Sequence, residues 1–115
     1  MAESFIDEEL AAQRMRNERL IELIVENGAA LGEERPIDFF FYANSREDAL
    51  SLARDLEALG FVEVTVPEEP YEDKWAVIGI LLASVVAATA ERFVESIVRL
   101  TAKYLAEFDG WGTPI

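Results

Sequence analysis

Residues 75–90 read WAVIGILLASVVAATA, sixteen positions without a charged side chain, in a 115-residue sequence whose formal net charge is −13. This segment restricts the fold more than any other, because it must leave water for either a bilayer or a protein core. As a helix it rises only about 24 Å, short of the roughly 30 Å hydrocarbon thickness of a membrane. Val77, Ile78 and Ile80 are β-branched and Gly79 disfavours a helix interior, so the segment starts as a strand. The spacing predicts a buried strand over residues 74–82 and a buried helix over 84–103.

The remaining composition supports one soluble globular domain. Hydrophobic residues make up 51% and charged residues 29%, enough apolar material for a core without disulfide or metal staples. Cysteine and histidine are both absent, which removes thiolate chemistry and the commonest general base and transition-metal ligand. No serine or lysine sits in a recognisable nucleophile motif, and neither GxGxxG nor a Walker pattern occurs. The reading is therefore of a protein that is not an enzyme, with no catalytic, cofactor-binding or metal-ligating residues. The acidic start, Met1-Ala2-Glu3-Ser4-Phe5-Ile6-Asp7, lacks the pattern of a signal peptide, so a cytoplasmic location is expected. With 23 acidic and 10 basic residues, the surface repels phosphate backbones and attracts basic protein surfaces. A protein partner with a basic surface is expected, with no direct nucleic-acid or membrane binding, the chain itself being a monomer or homodimer.

Element order follows from periodicity and punctuation. Residues 6–27 form a charged helix closed by Gly28, with Leu10, Met15, Leu20, Ile21, Leu23, Ile24 and Val25 as its apolar side. Its thinly apolar first half either projects or docks, and docking is favoured. After a short loop, Pro36 opens an aromatic strand, Ile37-Asp38-Phe39-Phe40-Phe41-Tyr42-Ala43, read as buried. Asn44 and Ser45 offer N-caps, and Ser45-Arg46-Glu47-Asp48 resembles a capping box for a helix ending at Gly60. Val62, Val64 and Val66 alternate with Glu63 and Thr65, as in a strand with one wet face. Prolines 67 and 70 stop that strand before the buried segment begins. Residues 105–108 are read as a final edge strand. The predicted fold class is α+β: a ferredoxin-like βαββαβ sandwich with an additional N-terminal helix. Residues 1–28 are the helix docking on the domain and residues 29–115 the ferredoxin-like body, a single domain overall.

Two segments hold candidate partner-binding residues. The connection Glu68-Glu69-Pro70-Tyr71-Glu72-Asp73 lacks the spacing and central glycine of a calcium loop. Glu68, Glu69, Tyr71, Glu72 and Asp73 instead suit contact with a basic partner. The tail Phe108-Asp109-Gly110-Trp111-Gly112-Thr113 reads as a turn at Asp109-Gly110. Trp111 is then either a plug on the core, which is favoured, or an exposed anchor for a partner. Asp38, Glu47 and Asp48 give no sign of a converging carboxylate pair, and a small ferredoxin-like domain binding or acting on a metabolite stands as the alternative function.

The tail motif, the Glu26-Asn27-Gly28 helix end and the element order together resemble the RraB family, regulators of ribonuclease E activity. The resemblance implies an acidic protein that binds a ribonuclease, or a related RNA-processing enzyme, and inhibits or adapts it by protein–protein contact. It also implies a long acidic extension after the tryptophan motif, whereas this sequence ends at Ile115.

Overall fold

In the first strand, Ile37, Phe39, Phe41 and Ala43 are buried, while Pro36, Asp38, Phe40 and Tyr42 between them are not. That period of two is a strand with one face on a core. In a computed structural model, which describes residues 2–26, 28 and 31–113 and side chains from residue 6 onward, this strand is β1 (Arg35–Ala43). It pairs with β3 (Trp75–Ala83) along its whole length, from Arg35 opposite Ala83 to Ala43 opposite Trp75. Flanking them are β2 (Glu63–Thr65), on β3, and β4 (Glu107–Gly112), on β1. The sheet is antiparallel throughout, in the order β2-β3-β1-β4, so the protein is α+β.

Among the described residues four helices accompany the sheet: α1 (Ala2–Glu26), α2 (Arg46–Leu59), α3 (Val85–Ala88) and α4 (Glu91–Lys103). Ser45 starts α2, its hydroxyl accepting the Asp48 N–H at 3.1 Å, and Gly60 ends it at φ 114°. That left-handed conformation suits glycine and satisfies a terminal carbonyl of the helix. Leu52 and Leu56 of α2 join Ile37, Phe39, Phe41 and Val77 in the core. Phe61 lies edge-on to Phe39, centroids 5.2 Å apart. It fits because β3 carries no side chain at Gly79: a Cβ there would stand 2.7 Å from the Phe61 ring.

Several sequence expectations need correction. The aromatic strand and the uncharged segment are covered on one face only. Continuous apolar sequence normally signals a strand buried on both faces, and here it does not. The single helix expected over 84–103 is two helices: at Ala90 the backbone is extended (ψ 135°), and the Thr89 hydroxyl returns to the Val85 carbonyl at 2.7 Å. Ala90, at the break between them, is exposed. No helix among the described residues is long and apolar enough to cross a membrane. The strand expected over 61–66 is regular only at Glu63–Thr65, although Phe61 is buried and the Val62 N–H still reaches the Ile80 carbonyl.

The apolar side of α1 also differs from expectation. Ile6, Gln13, Asn17 and Ile24 are buried, with Leu10 and Leu20 partly buried, whereas Met15, Leu23 and Val25 are exposed. Spacings of four and three define one stripe, and it includes two amides that a hydrophobicity count passes over. Ile6 packs on Val94 and Val98 of α4, so the thinly apolar first half lies against the body. Gly28 follows the helix at φ 79°, and the expected final residue, Asn27, lies outside the described residues.

Candidate partner-binding surface

The acidic connection is a defined turn. Tyr71 and Lys74 exchange backbone hydrogen bonds of 2.9 and 3.0 Å, and Glu72 between them takes φ 57°. A positive φ is uncommon for a residue with a side chain and is held here by those two bonds. Glu68, Glu69, Tyr71, Glu72 and Asp73 are all exposed. The neighbouring cation is engaged elsewhere: the Lys74 ammonium donates to Asn44 Oδ1 at 2.9 Å and Glu107 Oε1 at 3.2 Å. Those bonds tie the foot of the turn to the end of β1 and the start of β4, and leave the four carboxylates facing solvent. Among the described residues no group of three carboxylates gathers as a metal site.

The tail lies apart from this turn in both position and environment. Asp109-Gly110 is not a reversal of the chain, as the dipeptide suggested, but an irregularity within β4. Phe40 pairs with Gly110 and Phe41 with Phe108, which leaves Asp109 as the extra residue of a bulge. Gly110 takes φ 115° there, which glycine adopts without a Cβ penalty. Asp109 is exposed and lines a cleft with Arg16 of α1. Trp111 points the other way. Only 7% of it is accessible, and its indole N–H donates to Asn17 Oδ1 of α1 at 2.6 Å. It is part of the core beside Phe39, so its ring is not presented on the surface.

On the helix side, an open groove of about 390 Å³ runs between α2 and α4, lined by Asp55, Leu59, Ser96, Arg99, Leu100 and Lys103. Its charges are already paired. Arg99 meets Glu95 at 3.1 Å and Lys103 meets Asp55 at 3.3 Å. The Tyr104 hydroxyl donates to Asp55 at 2.5 Å, and this bond, aided by Lys103, holds the carboxyl below the usual carboxylate range. The arrangement ties α2 to the end of α4 and presents no unpaired base or nucleophile.

Sequence reasoning missed the second face of the sheet. Phe40, Tyr42, Ile78, Ile80 and Leu82 alternate with the buried positions and take no part in the core. Phe40 remains 36% and Leu82 47% accessible. The signal lay in Asp38 and Tyr42, whose polar groups sit on the same parity as Phe40.

The sequence profile of the family described as Regulator of ribonuclease activity B matches residues 14–113. The chain is 35% identical over 108 residues to the Regulator of ribonuclease activity B of Pantoea ananatis (strain LMG 20103), covering 90% of this chain and 76% of that protein. It is 34% identical over 110 residues to the protein of the same name from Escherichia coli (strain K12), covering 92% and 79%.

Proposed function

Because the chain belongs to the family of regulators of ribonuclease activity B, whose members are regulators and not enzymes, we propose that it binds and modulates a ribonuclease of the ribonuclease E type, or a related RNA-processing enzyme, by direct protein contact. The family match over residues 14–113 carries this reading. The net charge of −13 and the solvent-facing carboxylates of the 68–73 turn support a basic docking partner. Glu68, Glu69, Tyr71, Glu72 and Asp73 are the proposed contact residues of that turn, with Asp109 as a separate contact at the β4 edge. The protein acts in the cytoplasm. The body is a ferredoxin-like split β-α-β unit, a reading supported by the antiparallel order β2-β3-β1-β4, and α1 docks on it to make one domain. The test is a cleavage assay: purified chain added to a ribonuclease of this type changes the rate at which a structured RNA is cut. An unchanged rate at saturating chain rejects the reading.

A second reading, a small-metabolite binder, is favoured by the uncovered apolar sheet face. It predicts a thermal shift with a small ligand in the absence of any protein, and lack of ligand-induced stabilisation across metabolite classes rejects it.

A further inference from the structure

We propose that the uncovered sheet face is a docking surface alongside the 68–73 turn, and that its occupant is an arginine- and lysine-rich protein segment carrying interspersed apolar side chains. The proposal rests on the regulatory reading above and gives it a location and a partner chemistry.

The strand register sets out the face row by row. Glu63, Ile80, Asp38 and Gly112 lie abreast across the four strands; Thr65, Ile78, Phe40 and Gly110 form the next row. An apolar centre, Ile80-Ile78-Phe40, is therefore bordered by two carboxylates, Glu63 and Asp38, that flank Ile80 directly. On the β4 side these two rows carry no side chain, and Glu107, opposite Tyr42 further along the face, is held by Lys74. Gly110 and Gly112 are the register partners of Phe40 and Asp38, and a Cβ at either would meet nothing within 4 Å. The motif Gly110-Trp111-Gly112 thus has two sides: Trp111 fills the core, and the glycines leave a shelf beside Phe40 open to a visiting side chain.

Charge selects the occupant. A second copy would set Glu63 and Asp38 against their own like charges, between molecules each carrying −13. A nucleic acid finds aromatic rings in Phe40 and Tyr42, but its phosphates meet the same carboxylates. A cationic segment with apolar residues satisfies both parts of the face: its apolar groups cover Ile78, Phe40 and Leu82, and its guanidinium or ammonium groups reach Asp38 and Glu63.

The experiment uses the full chain and two variants chosen to keep the fold. Phe40→Glu changes an accessible side chain, and Gly112→Leu fills the shelf at a position with space for it. Met15→Glu, on the exposed side of α1, is the control. Binding is measured to an immobilised ribonuclease of the E type. In parallel, NMR shifts are recorded with a synthetic peptide alternating arginine and leucine. Both face variants weaken ribonuclease binding by about tenfold or more, as for a central aromatic contact, while Met15→Glu does not and all three melt as the parent does. The peptide shifts resonances of β1, β3 and Gly112. Undiminished ribonuclease binding in both folded face variants overturns the assignment of the face and leaves the regulatory reading standing. A chain that does not bind the ribonuclease but takes the peptide on β1 and β3 overturns the regulatory reading and keeps the face. Peptide shifts confined to the helices, self-association abolished by Phe40→Glu, or tight binding of homopolymer RNA each overturn the proposed occupant.

Discussion

The indole of Trp111 donates a 2.6 Å hydrogen bond to the side-chain carbonyl of Asn17, joining β4 to α1 in the protein interior. The residues are 94 positions apart in sequence, so this bond fixes how the N-terminal helix lies on the body. Trp111→Ala is expected to destabilise the fold by about 3–5 kcal/mol, as for other large-to-small core changes. Trp111→Phe keeps an aromatic ring but removes the indole N–H from Asn17, at about 1–3 kcal/mol. Chemical denaturation gives both values. Amide exchange of α1 should accelerate more than that of β1 and β3; uniform acceleration would contradict a local tie.

Gln13 predicts the opposite sign. Its side chain is 1% accessible, and neither amide atom finds a protein partner among the described residues. Gln13→Leu should therefore stabilise the protein by about 1–2 kcal/mol, since a buried unpaired amide carries a desolvation penalty that an apolar group of comparable size does not. A lower denaturation midpoint would show that the amide is engaged.

Gly79 is required by packing rather than by backbone conformation. Its substitution by alanine places a methyl group 2.7 Å from the Phe61 ring, displacing a side chain that also packs on Phe39 and Phe93. An overpacking loss of about 1–3 kcal/mol is expected. The double variant Gly79→Ala, Phe61→Leu should lose less than the sum of the single changes, because they share the same contact.

These core positions also mark how far the sequence was legible. Ser45 and Gly60 announced both ends of α2, and aromatic density announced β1. What sequence could not convey was the second face of β1 and β3, since Phe40, Ile78 and Ile80 are as apolar as their buried neighbours and only strand register separates them. The inward stripe of α1 was hidden for the converse reason, because Gln13 and Asn17 are polar residues in buried positions. Asp109-Gly110 read as a turn because a bulge and a turn use the same positive-φ glycine. The carboxylate turn was visible as a run of acids; its rigidity and the diversion of Lys74 to Glu107 depend on distant partners.

The Asp55–Tyr104 bond gives a pH-dependent contribution. Asp55 lies below its ordinary value because the folded protein favours the carboxylate, first through the Tyr104 hydroxyl and then through Lys103 and Arg54. Its stabilisation is present above the unfolded-state value and is lost as pH falls through the folded-state one. Tyr104→Phe should lower stability near neutrality by about 0.5–1 kcal/mol, a modest figure because the carboxylate is one-third accessible. The difference from the parent should vanish once Asp55 is protonated. A difference unchanged down to acid pH would assign the effect to packing of the ring.

The proposed regulation needs an acidic surface that meets a basic region of a ribonuclease. The most direct test is the affinity of the full chain for an immobilised ribonuclease of the E type, measured by surface plasmon resonance at about 50 and about 200 mM salt. Specific binding is expected to weaken at least tenfold across that range, with the loss carried mainly by a slower association rate. Absence of binding at the lower salt, or an affinity indifferent to salt, would contradict it.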